Sequence, residues 1–488
     1  MKKSFRILCL ILALALSFST FVACDSGEEE TESKEAETTA TETETEEVHP
    51  DIVKKDYGTE YFLKIMQDSN TVKYYWVEES EGDAMSEALF ARQEKVRDYL
   101  GVEVVCESLG GHTTYTEGFK TAIKNKDDSV HTMITHVHSG IEGMITGNYL
   151  RDYNTIDEIN LDADYWKQDF MEGLALNDKM YLGNSNFNIL YTHVVAFNKT
   201  MMEQYDDALE SDVYTMVTDY KWTLDQMIGL ASLVYIDKTA DGKTEDDTFG
   251  LTGVQWVPFI GFLHASDIQY IDINDAGTYA VSVYNDVNQS KTAALVEKLS
   301  EMVASDYAWF KYRIEPTPEV KLYTGRALMS LEATNSLPTL CEYDIDFGIL
   351  PYPMYDEAQA SVGYRHLQWG GYTVIPSYTA NPTMVAETLE MLSFFSDDVN
   401  ITFYEKLIGK QVADAPLDRA MLDIVWDTIC SEFGQAYTEA SGGWLYMLPE
   451  LTQVNATSNL ASYVKSKEAS SNKAIKKFLA TVSKLGGN

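Results

Sequence analysis

Three histidines lie close together in one segment of the chain, and imidazole is a common metal ligand in proteins. His136 and His138 belong to one face of a predicted strand, because side chains two residues apart lie on the same side of it, and His131 precedes them. No fourth ligand is evident nearby, so no metal site is predicted here. A polar contact from His138 to a bound solute is the alternative that stays open.

An acidic loop offers oxygen ligands with the spacing of a calcium site. Asp237, Thr239, Asp241 and Gly242 follow the start of an EF-hand loop, but the twelfth position is Thr248 where a bidentate glutamate is expected. The pattern therefore favours an ordinary acidic turn, with structural calcium as the alternative.

Catalytic signatures are missing from the sequence. It contains no Gly-x-Ser-x-Gly elbow, no Walker phosphate loop and no His-Glu-x-x-His zinc helix. With 76 acidic residues, a pair of carboxylates has no diagnostic value for a glycosidase. We expect a protein that is not an enzyme, with no catalytic residues and no cofactor.

Cys24 is the residue whose surroundings indicate a covalent modification. Three basic residues precede an apolar run over 7–16, which is too short for a transmembrane helix of about 20 residues. The segment Phe21-Val22-Ala23-Cys24 resembles a bacterial lipobox, although Phe21 stands where Leu is preferred. Residues 1–24 are therefore predicted to be a lipoprotein signal peptide, with lipidation at Cys24. An ordinary secretory signal cut nearby and an uncleaved anchor are the alternatives.

The segment that follows is predicted to be a disordered tether. Residues 25–50 hold eleven acidic residues and one lysine, so they cannot bury enough apolar surface to fold. The whole chain has a formal net charge of −39, which disfavours nucleic acid and anionic lipid as partners. Cys106, Cys341 and Cys430 have irregular spacing and are predicted to be buried thiols.

About 440 residues remain for a globular body, and strands alternate with helices along it. Residues 72–77 read as a strand, 85–100 as a helix ending at Gly101, 102–106 as a strand, 115–126 as a helix and 130–137 as a strand. Such alternation predicts a parallel sheet with helices on both faces.

A similar pattern restarts further along the chain. Strands are predicted at 189–197, 327–331, 347–350 and 371–375, and helices at 199–209, 384–396, 418–433 and 472–485. Thr223 and Gln226 form a capping box that opens a further helix to about Val234.

Four stretches carry a resemblance to a known family. They are DAMSEALFARQEKVRDYLGVEVV at 83–105, the Trp-helix and Phe-Asn-Lys turn at 162–202, the Trp-Thr helix and acidic glycine loop at 221–250, and three segments between 347 and 425. Their order and spacing resemble the extracellular solute-binding proteins of ABC importers, in the group related to maltose-binding protein and common in gut clostridia. The resemblance covers essentially all of 60–485.

The resemblance implies a two-lobed, periplasmic-binding-protein-like α/β fold of type II, in which each lobe is a mostly parallel sheet flanked by helices. Crossovers are expected near 183–190, 355–368 and 397–405. Lobe 1 would comprise 51–186 plus 366–400, and lobe 2 would comprise 187–365 plus 401–488. The ligand would lie between the lobes and be sealed by a hinge motion.

Candidate ligand contacts combine aromatic platforms with polar groups, as a sugar cleft requires. The segment Trp369-Gly370-Gly371 resembles the family's glycine pair beside the cleft, and Glu332 follows a strand that ends there. The full set is Tyr75, Trp76, Glu78, His138, Asn186, Trp256, Glu332, Arg365, Trp369, Gly370 and Trp444. For Trp76 a core position, and for the asparagines at 184, 186 and 188 a turn role, are the alternatives.

Together these observations predict a lipid-anchored receptor on the outer face of the plasma membrane. Its ligand would be a carbohydrate, most plausibly an oligosaccharide, and its partners the permease subunits of an ABC importer. A binding protein for a peptide or other polar solute, and a surface glycosidase, are the alternatives.

Overall fold

The computed structural model describes residues 51–66, 72–109, 115–135, 140–209, 211–274, 276–311, 322–340, 343, 345–404, 416–454 and 459–486. The predicted signal peptide and tether, His136, His138 and Cys341 lie outside these residues. Within these ranges, no helix is both long enough and apolar enough to cross a bilayer.

Within the described residues, the strands form two main sheets and two short ladders. In chain order they are β1 Thr59–Ile65, β2 Val102–Ser108, β3 Thr132–Ile134, β4 His193–Asn198, β5 Tyr235–Ile236, β6 Thr248–Val254, β7 Ile271–Ile273, β8 Tyr279–Val281, β9 Ala308–Lys311, β10 Ala327–Ala333, β11 Phe347–Leu350, β12 His366–Leu367, β13 Thr373–Val374 and β14 Ile429–Cys430.

Helices pack around these sheets. In chain order they are α1 Ala84–Leu100, α2 Tyr115–Asn125, α3 Ile141–Thr146, α4 Gln168–Glu172, α5 Lys199–Met202, α6 Val213–Thr218, α7 Leu224–Ser232, α8 Val257–Ala265, α9 Gln289–Ala304, α10 Leu337–Leu340, α11 Pro382–Phe394, α12 Asp397–Ile401, α13 Pro416–Asp427, α14 Phe433–Ala436, α15 Thr438–Ser441, α16 Met447–Pro449 and α17 Leu460–Val482.

The first sheet has the order β13-β3-β1-β2. β1 pairs in parallel with β2 and β3, and β13 is antiparallel to β3. The prediction of a first strand at 72–77 is wrong, because the N–H groups of Tyr75 and Trp76 both bond back to the carbonyl of Val72 and close a turn. The first strand is β1, whose last three residues are buried.

The second sheet has the order β11-β4-β10-β6-β5, with β9 also on β6. It is more mixed than expected: β6 runs parallel to β10 and β9, whereas β4 is antiparallel to both β10 and β11. All six residues of β4 are buried, which fits a strand covered on both faces. The predicted α/β class, with sheets flanked by helices, is confirmed.

Local sequence explains several helix ends. The Asp83 side chain accepts from the N–H groups of Met85 and Ser86 to begin α1, and Gly101 ends it in a left-handed conformation at φ +61°. Thr223 caps α7 by accepting from the N–H of Gln226, as the capping box predicts. α17 is longer than the predicted 472–485, because Asn459 caps it much earlier.

The chain passes between the two sheets more than once. Gly183 bridges to Thr373 of the first sheet, and ten residues later His193 begins β4 of the second. The return runs from β11 through β12 to β13. Further along, α11 and α12 pack against α1, whereas α13 packs against β11. The lobe boundaries given above stay a prediction that rests on these passages.

The C-terminal helices contact elements near both sheets. Glu142 of α3 accepts from the N–H groups of Glu439 and Ala440 at 2.8 and 3.0 Å. On the other side, the Tyr270 hydroxyl donates to the carbonyl of Leu445 at 3.2 Å, and Asn472 accepts from the N–H of Val281. Helices α15 and α17, with Leu445, therefore link α3 to the β7–β8 ladder.

Candidate ligand-binding cleft

The carboxyl ends of β1 and β3 form the first wall of the candidate site. The N–H of Met66 donates to the Ile134 carbonyl at 2.9 Å, and the N–H of Thr135 donates to the Tyr372 carbonyl at 2.7 Å. The Thr135 hydroxyl in turn accepts from the N–H of Tyr372 at 3.2 Å. Open α/β sheets bind ligands outside the carboxyl ends of their strands, so this edge is where a solute is expected.

The second sheet presents a matching edge. β6 ends at Val254 and the parallel β10 ends at Ala333, after which Asn335 lies in a short 3₁₀ turn. His193 pairs with Ala333 across the sheet, so the start of β4 lies at the same edge.

The crossover segment before β4 has two faces. Ile189 and Tyr191 line one cavity, whereas Asn188 and Leu190 line a different one. Alternate residues of an extended chain point to opposite sides, so the two cavities lie on opposite sides of this segment.

The cavity on the Ile189 and Tyr191 side has a volume of about 20 Å³, which is room for about one water molecule in this conformation, and we call it the front cavity. The Tyr74 ring meets Phe403 edge-on with centroids 5.4 Å apart. Rings beside an amide can stack on the flat apolar faces of a polyhydroxylated solute and pair with its hydroxyls. The described lining consists of Tyr74, Tyr75, Ile189, Tyr191, Asn335, Gly371 and Phe403.

Two glycines allow the backbones to approach here. A Cβ on Gly371 would lie 2.0 Å from the Thr135 carbonyl oxygen, and one on Gly370 would lie 2.5 Å from that of Ile189. Both distances are far inside van der Waals contact, so any side chain at these positions would push the second crossover away from the first sheet.

Trp256 has an unusual backbone conformation directly after β6. Its φ is +81°, which is rare for a bulky residue, and its N–H donates to the side chain of Gln453 at 2.9 Å. Its ring lies edge-on to Tyr446 with centroids 6.4 Å apart. Strained backbone of this kind is concentrated at ligand sites, which supports a functional role for Trp256.

The ionisable side chains at the edge of the second sheet are buried within the protein. The buried Glu332 accepts from the hydroxyls of Ser330 and Ser336 at 2.5 and 3.3 Å. Burial lowers the pKa of His193 to about 4, so its imidazole is neutral at physiological pH. The edge therefore offers neutral hydrogen-bonding groups near the front cavity.

Among comparisons with known proteins, only those with solved structures give matches. The chain matches no family model and no curated protein. Solved structures do match it. The GacH receptor of Streptomyces glaucescens, solved unliganded and with acarbose, has 14% identity and a TM-score of 0.54, covering 88% of this chain and 99% of that one.

Two further structures are comparable. An ABC substrate-binding protein of Listeria monocytogenes in complex with cycloalternan has 12% identity, a TM-score of 0.53 and coverages of 87% and 98%. A solute-binding protein of Thermotoga lettingae bound with α-D-tagatose has 13% identity, a TM-score of 0.56 and coverages of 86% and 100%.

This chain has the solute-binding-protein fold. The predicted two-lobed architecture is thereby confirmed.

Several predicted residues lie at or beside the cleft of this solute-binding fold. Tyr75 lines the front cavity, and Gly370 closes against Ile189 at its rim. Glu332 and Trp256 lie at the edge of the second sheet. Trp369 is 8% exposed, with its ring edge-on to His193 at 5.7 Å, so it contributes packing beside the cleft. Their roles as ligand contacts stay predictions.

Three predicted contacts lie away from the front cavity. Trp444 is fully buried and its indole N–H donates to the Ser471 hydroxyl at 2.9 Å, so its faces are covered by the core. Arg365 pairs with Asp267 at 3.0 Å, and Asn186 donates to Asp397. Arg365 and Asn186 both line cavities on the far side of the crossover.

Two more predicted residues follow the turn at 72–75. The indole N–H of Trp76 donates to the Val104 carbonyl at 2.7 Å, so Trp76 lies along β2. Glu78 is exposed. His138 lies outside the described residues.

The metal alternatives gain no support. Asp237 accepts from the N–H groups of Thr239, Ala240 and Gly242, which is the hydrogen bonding of an acidic turn. Across the described residues, no cluster of three or more His, Cys, Asp or Glu side chains could hold a metal ion. His131 is buried, and its Nδ1 accepts from the N–H of Phe62 at 3.1 Å.

Sequence reasoning missed five residues of the front cavity: Tyr74, Ile189, Tyr191, Asn335 and Phe403. A usable signal existed for two of them. Asn335 lies three residues beyond Glu332 at the same strand end, and Tyr191 lies in the predicted first strand after the first crossover.

Proposed function

We propose that this protein is a lipid-anchored receptor that binds a carbohydrate and delivers it to the membrane subunits of an ABC importer. The carrying observation is the front cavity, where aromatic rings and the Asn335 amide meet at the carboxyl ends of strands from both sheets. The three solved structures of the same fold bind acarbose, cycloalternan and tagatose, which supports a sugar as the ligand.

Binding would act through opening and closure of the lobes, because the front cavity must widen from about 20 Å³ to admit a saccharide. A solute that touches both strand edges stabilises the conformation in which both are in contact with it, and so shifts the population toward the closed state. Only crossover segments and the C-terminal helices would have to adjust. The receptor would perform no chemistry.

A glycosidase is the less favoured function. Glycoside hydrolysis needs two carboxyl groups about 5 to 10 Å apart across the scissile bond. The described lining of the front cavity contains no carboxylate, and the nearby Glu332 is engaged by two serine hydroxyls. A peptide receptor would need paired charges at this position, and the same lining contains none.

The decisive experiment is a thermal-shift screen of the purified full-length protein against a panel of neutral glycans and short peptides. A ligand that binds only the folded form raises the melting temperature, and titration calorimetry then gives its affinity. We expect a saccharide hit that is recovered unhydrolysed after prolonged incubation. A peptide hit, or hydrolysis of the sugar, would contradict the proposal.

Anchoring needs its own test. Cys24→Ala should abolish incorporation of a metabolic lipid probe, because no other thiol lies at the predicted cleavage site. Replacing Cys9, inside the apolar run, by alanine is the matched control and should leave labelling intact. Equal labelling of the Cys24 variant would refute the anchor.

A further inference from the structure

A large cavity lies on the other side of the crossover segment. It has a volume of about 760 Å³ and is continuous with a second cavity of about 450 Å³, since both are lined by Lys167, Trp426, Asp427 and Ile429. We call the pair the back groove. Pockets for small molecules are typically about 300–1,000 Å³, so the groove has the size of a ligand site.

The back groove is separate from the front cavity. Asn188 and Leu190 line the groove, whereas the intervening Ile189 and the next residue Tyr191 line the front cavity. One extended segment is therefore the shared wall, and a molecule in one cavity cannot occupy the other.

Aromatic side chains form part of the groove. The Trp426 and Tyr404 rings lie 4.2 Å apart at an angle of 55°, and Ile401 beside them is 47% exposed. The Tyr404 hydroxyl is fixed by the backbone of Leu190, to whose carbonyl it donates at 2.9 Å. Trp426 thus offers an accessible ring held at a fixed angle, which suits the C–H face of a sugar.

Polar groups that could make further hydrogen bonds lie next to these rings. The ammonium of Lys167 makes no hydrogen bond or ion pair with a described side chain, and burial lowers its pKa while Asp397 and Asp164 oppose that change. The side-chain oxygen of Asn400 is buried without a partner among the described residues, although its amide donates to the Asn186 carbonyl at 2.8 Å. Buried polar atoms without partners are costly and are commonly satisfied by water or ligand.

The charges that line the back groove restrict the class of ligand that can bind there. Carboxylates outnumber bases in the lining, and Lys167 and Arg365 are its only cations among the described residues. An anion would be repelled by this lining, and a polyamine would lie against the central Lys167. A neutral polyol can accept from the ammonium, donate to carboxylates and stack on the indole.

We propose that the back groove is a second binding site, for a neutral saccharide, and that Trp426 and Lys167 are its main contacts. The site does not rest on the function proposed for the front cavity. The back groove can bind the same sugar as the front cavity or a different one. A separate tryptophan signal reports on each of the two sites.

The test is fluorine NMR of the full-length protein labelled with 5-fluorotryptophan, in which the eight tryptophans give separate reporters. Trp426→Phe assigns the signal that reports on the back groove. Trp256→Phe assigns the signal that reports on the edge of the second sheet beside the front cavity. Maltotriose, cellotriose and mannotriose are titrated to about 20 mM, well above millimolar dissociation constants. We expect a saturable shift of the Trp426 signal with at least one of them.

Lys167→Met should weaken that binding by about tenfold or more, which corresponds to the loss of one hydrogen bond from a charged donor. Lys465→Met, on α17 and outside the groove lining, is the matched control and should change nothing. A Trp426 signal that stays fixed with all three sugars, or that moves equally in the Lys167 variant, would overturn the proposal. Movement of the Trp256 signal alone would also overturn it, while leaving the function of the front cavity intact.

Discussion

Tyr191 is the residue at which the proposed function of the front cavity is most directly tested. Its side chain lines the cavity from the crossover, and we predict that Tyr191→Ala weakens binding of the sugar found in the thermal-shift screen by about fivefold or more. The physical reason is the loss of an aromatic face at the centre of the site. Titration calorimetry measures the change.

The matched control is Tyr220→Ala. Tyr220 is 44% exposed and stacks on Tyr364 at 5.8 Å, outside the lining of the front cavity. Its removal should leave affinity unchanged. Equal loss of affinity in both variants would contradict a specific role for Tyr191.

The sequence indicated that aromatic residues would line the site, but not which of the aromatic residues do so. Tyr75 and Trp444 both follow locally plausible loop or strand signals, yet one lines the front cavity and the other is enclosed by α17 through Ser471. What separates them is contact with a helix distant in the chain, and no local pattern encodes it. The family resemblance drew attention to Gly370 and Gly371 as a place where a ligand approaches, and the structure shows other backbone segments close to them instead.

The segment between β12 and β13 makes a prediction at the scale of elements. Gly371→Ala should destabilise the protein strongly, by about 2 kcal/mol or more, because the added Cβ would lie 2.0 Å from the Thr135 carbonyl and must separate β13 from β3. Urea unfolding followed by circular dichroism measures the free energy of unfolding.

Gly229→Ala is the control, and it should change the free energy of unfolding in the opposite direction. Gly229 lies within α7, and a Cβ added to it would meet no atom within 4 Å, so alanine should stabilise the helix by up to about 1 kcal/mol. If both substitutions had the same effect, the close approach at Gly371 would not be a structural constraint.

The contact between α3 and the C-terminal helices should depend on pH. Burial raises the pKa of Glu142 from the usual 4.5 to about 7, helped by the charge of Glu439 and opposed by the N–H groups of Glu439 and Ala440. Between pH 4.5 and 7 the folded protein keeps a proton that the unfolded chain has released. This contribution to stability is therefore complete below about pH 4.5 and is lost as the pH rises to about 7.

We predict that the wild type gains stability relative to Glu142→Gln when the pH falls from about 7.5 to about 5, by no more than about 3 kcal/mol. The glutamine is neutral throughout, so only the wild type titrates. Urea unfolding at both pH values measures the difference, and Glu79→Gln at an exposed position should behave like the wild type. A difference between wild type and Glu142→Gln that does not vary with pH would contradict this mechanism.

Elements were predictable where a cap or a continuous apolar run marked them. Gly101 and Thr223 act as the sequence predicts, and β10 and β11 lie where apolar runs predict them. The failure at 72–77 has a physical cause. Its apolar aromatic residues satisfy the strand pattern, but they belong to a turn after β1, and β1 itself carries charged residues that weakened the signal.

The whole molecule should contract when it binds its ligand. Two sheets joined by short crossovers can rotate about them, and a solute that contacts both strand edges favours the closed population. Small-angle X-ray scattering with saturating sugar should give a smaller radius of gyration than without it. A sugar from the panel that gave no thermal shift is the control, and an unchanged profile with the true ligand would indicate a rigid binding module.

The crossovers also determine the order in which the chain can fold. The first sheet contains β1, β2 and β3, but its outer strand β13 is made of residues 373–374, so a ribosome must synthesise most of the polypeptide before that sheet is complete. The second sheet likewise waits for β11. Folding that depends on such distant partners is slow. A nascent chain that ends before residue 347 therefore lacks a strand of each sheet and can complete neither of them.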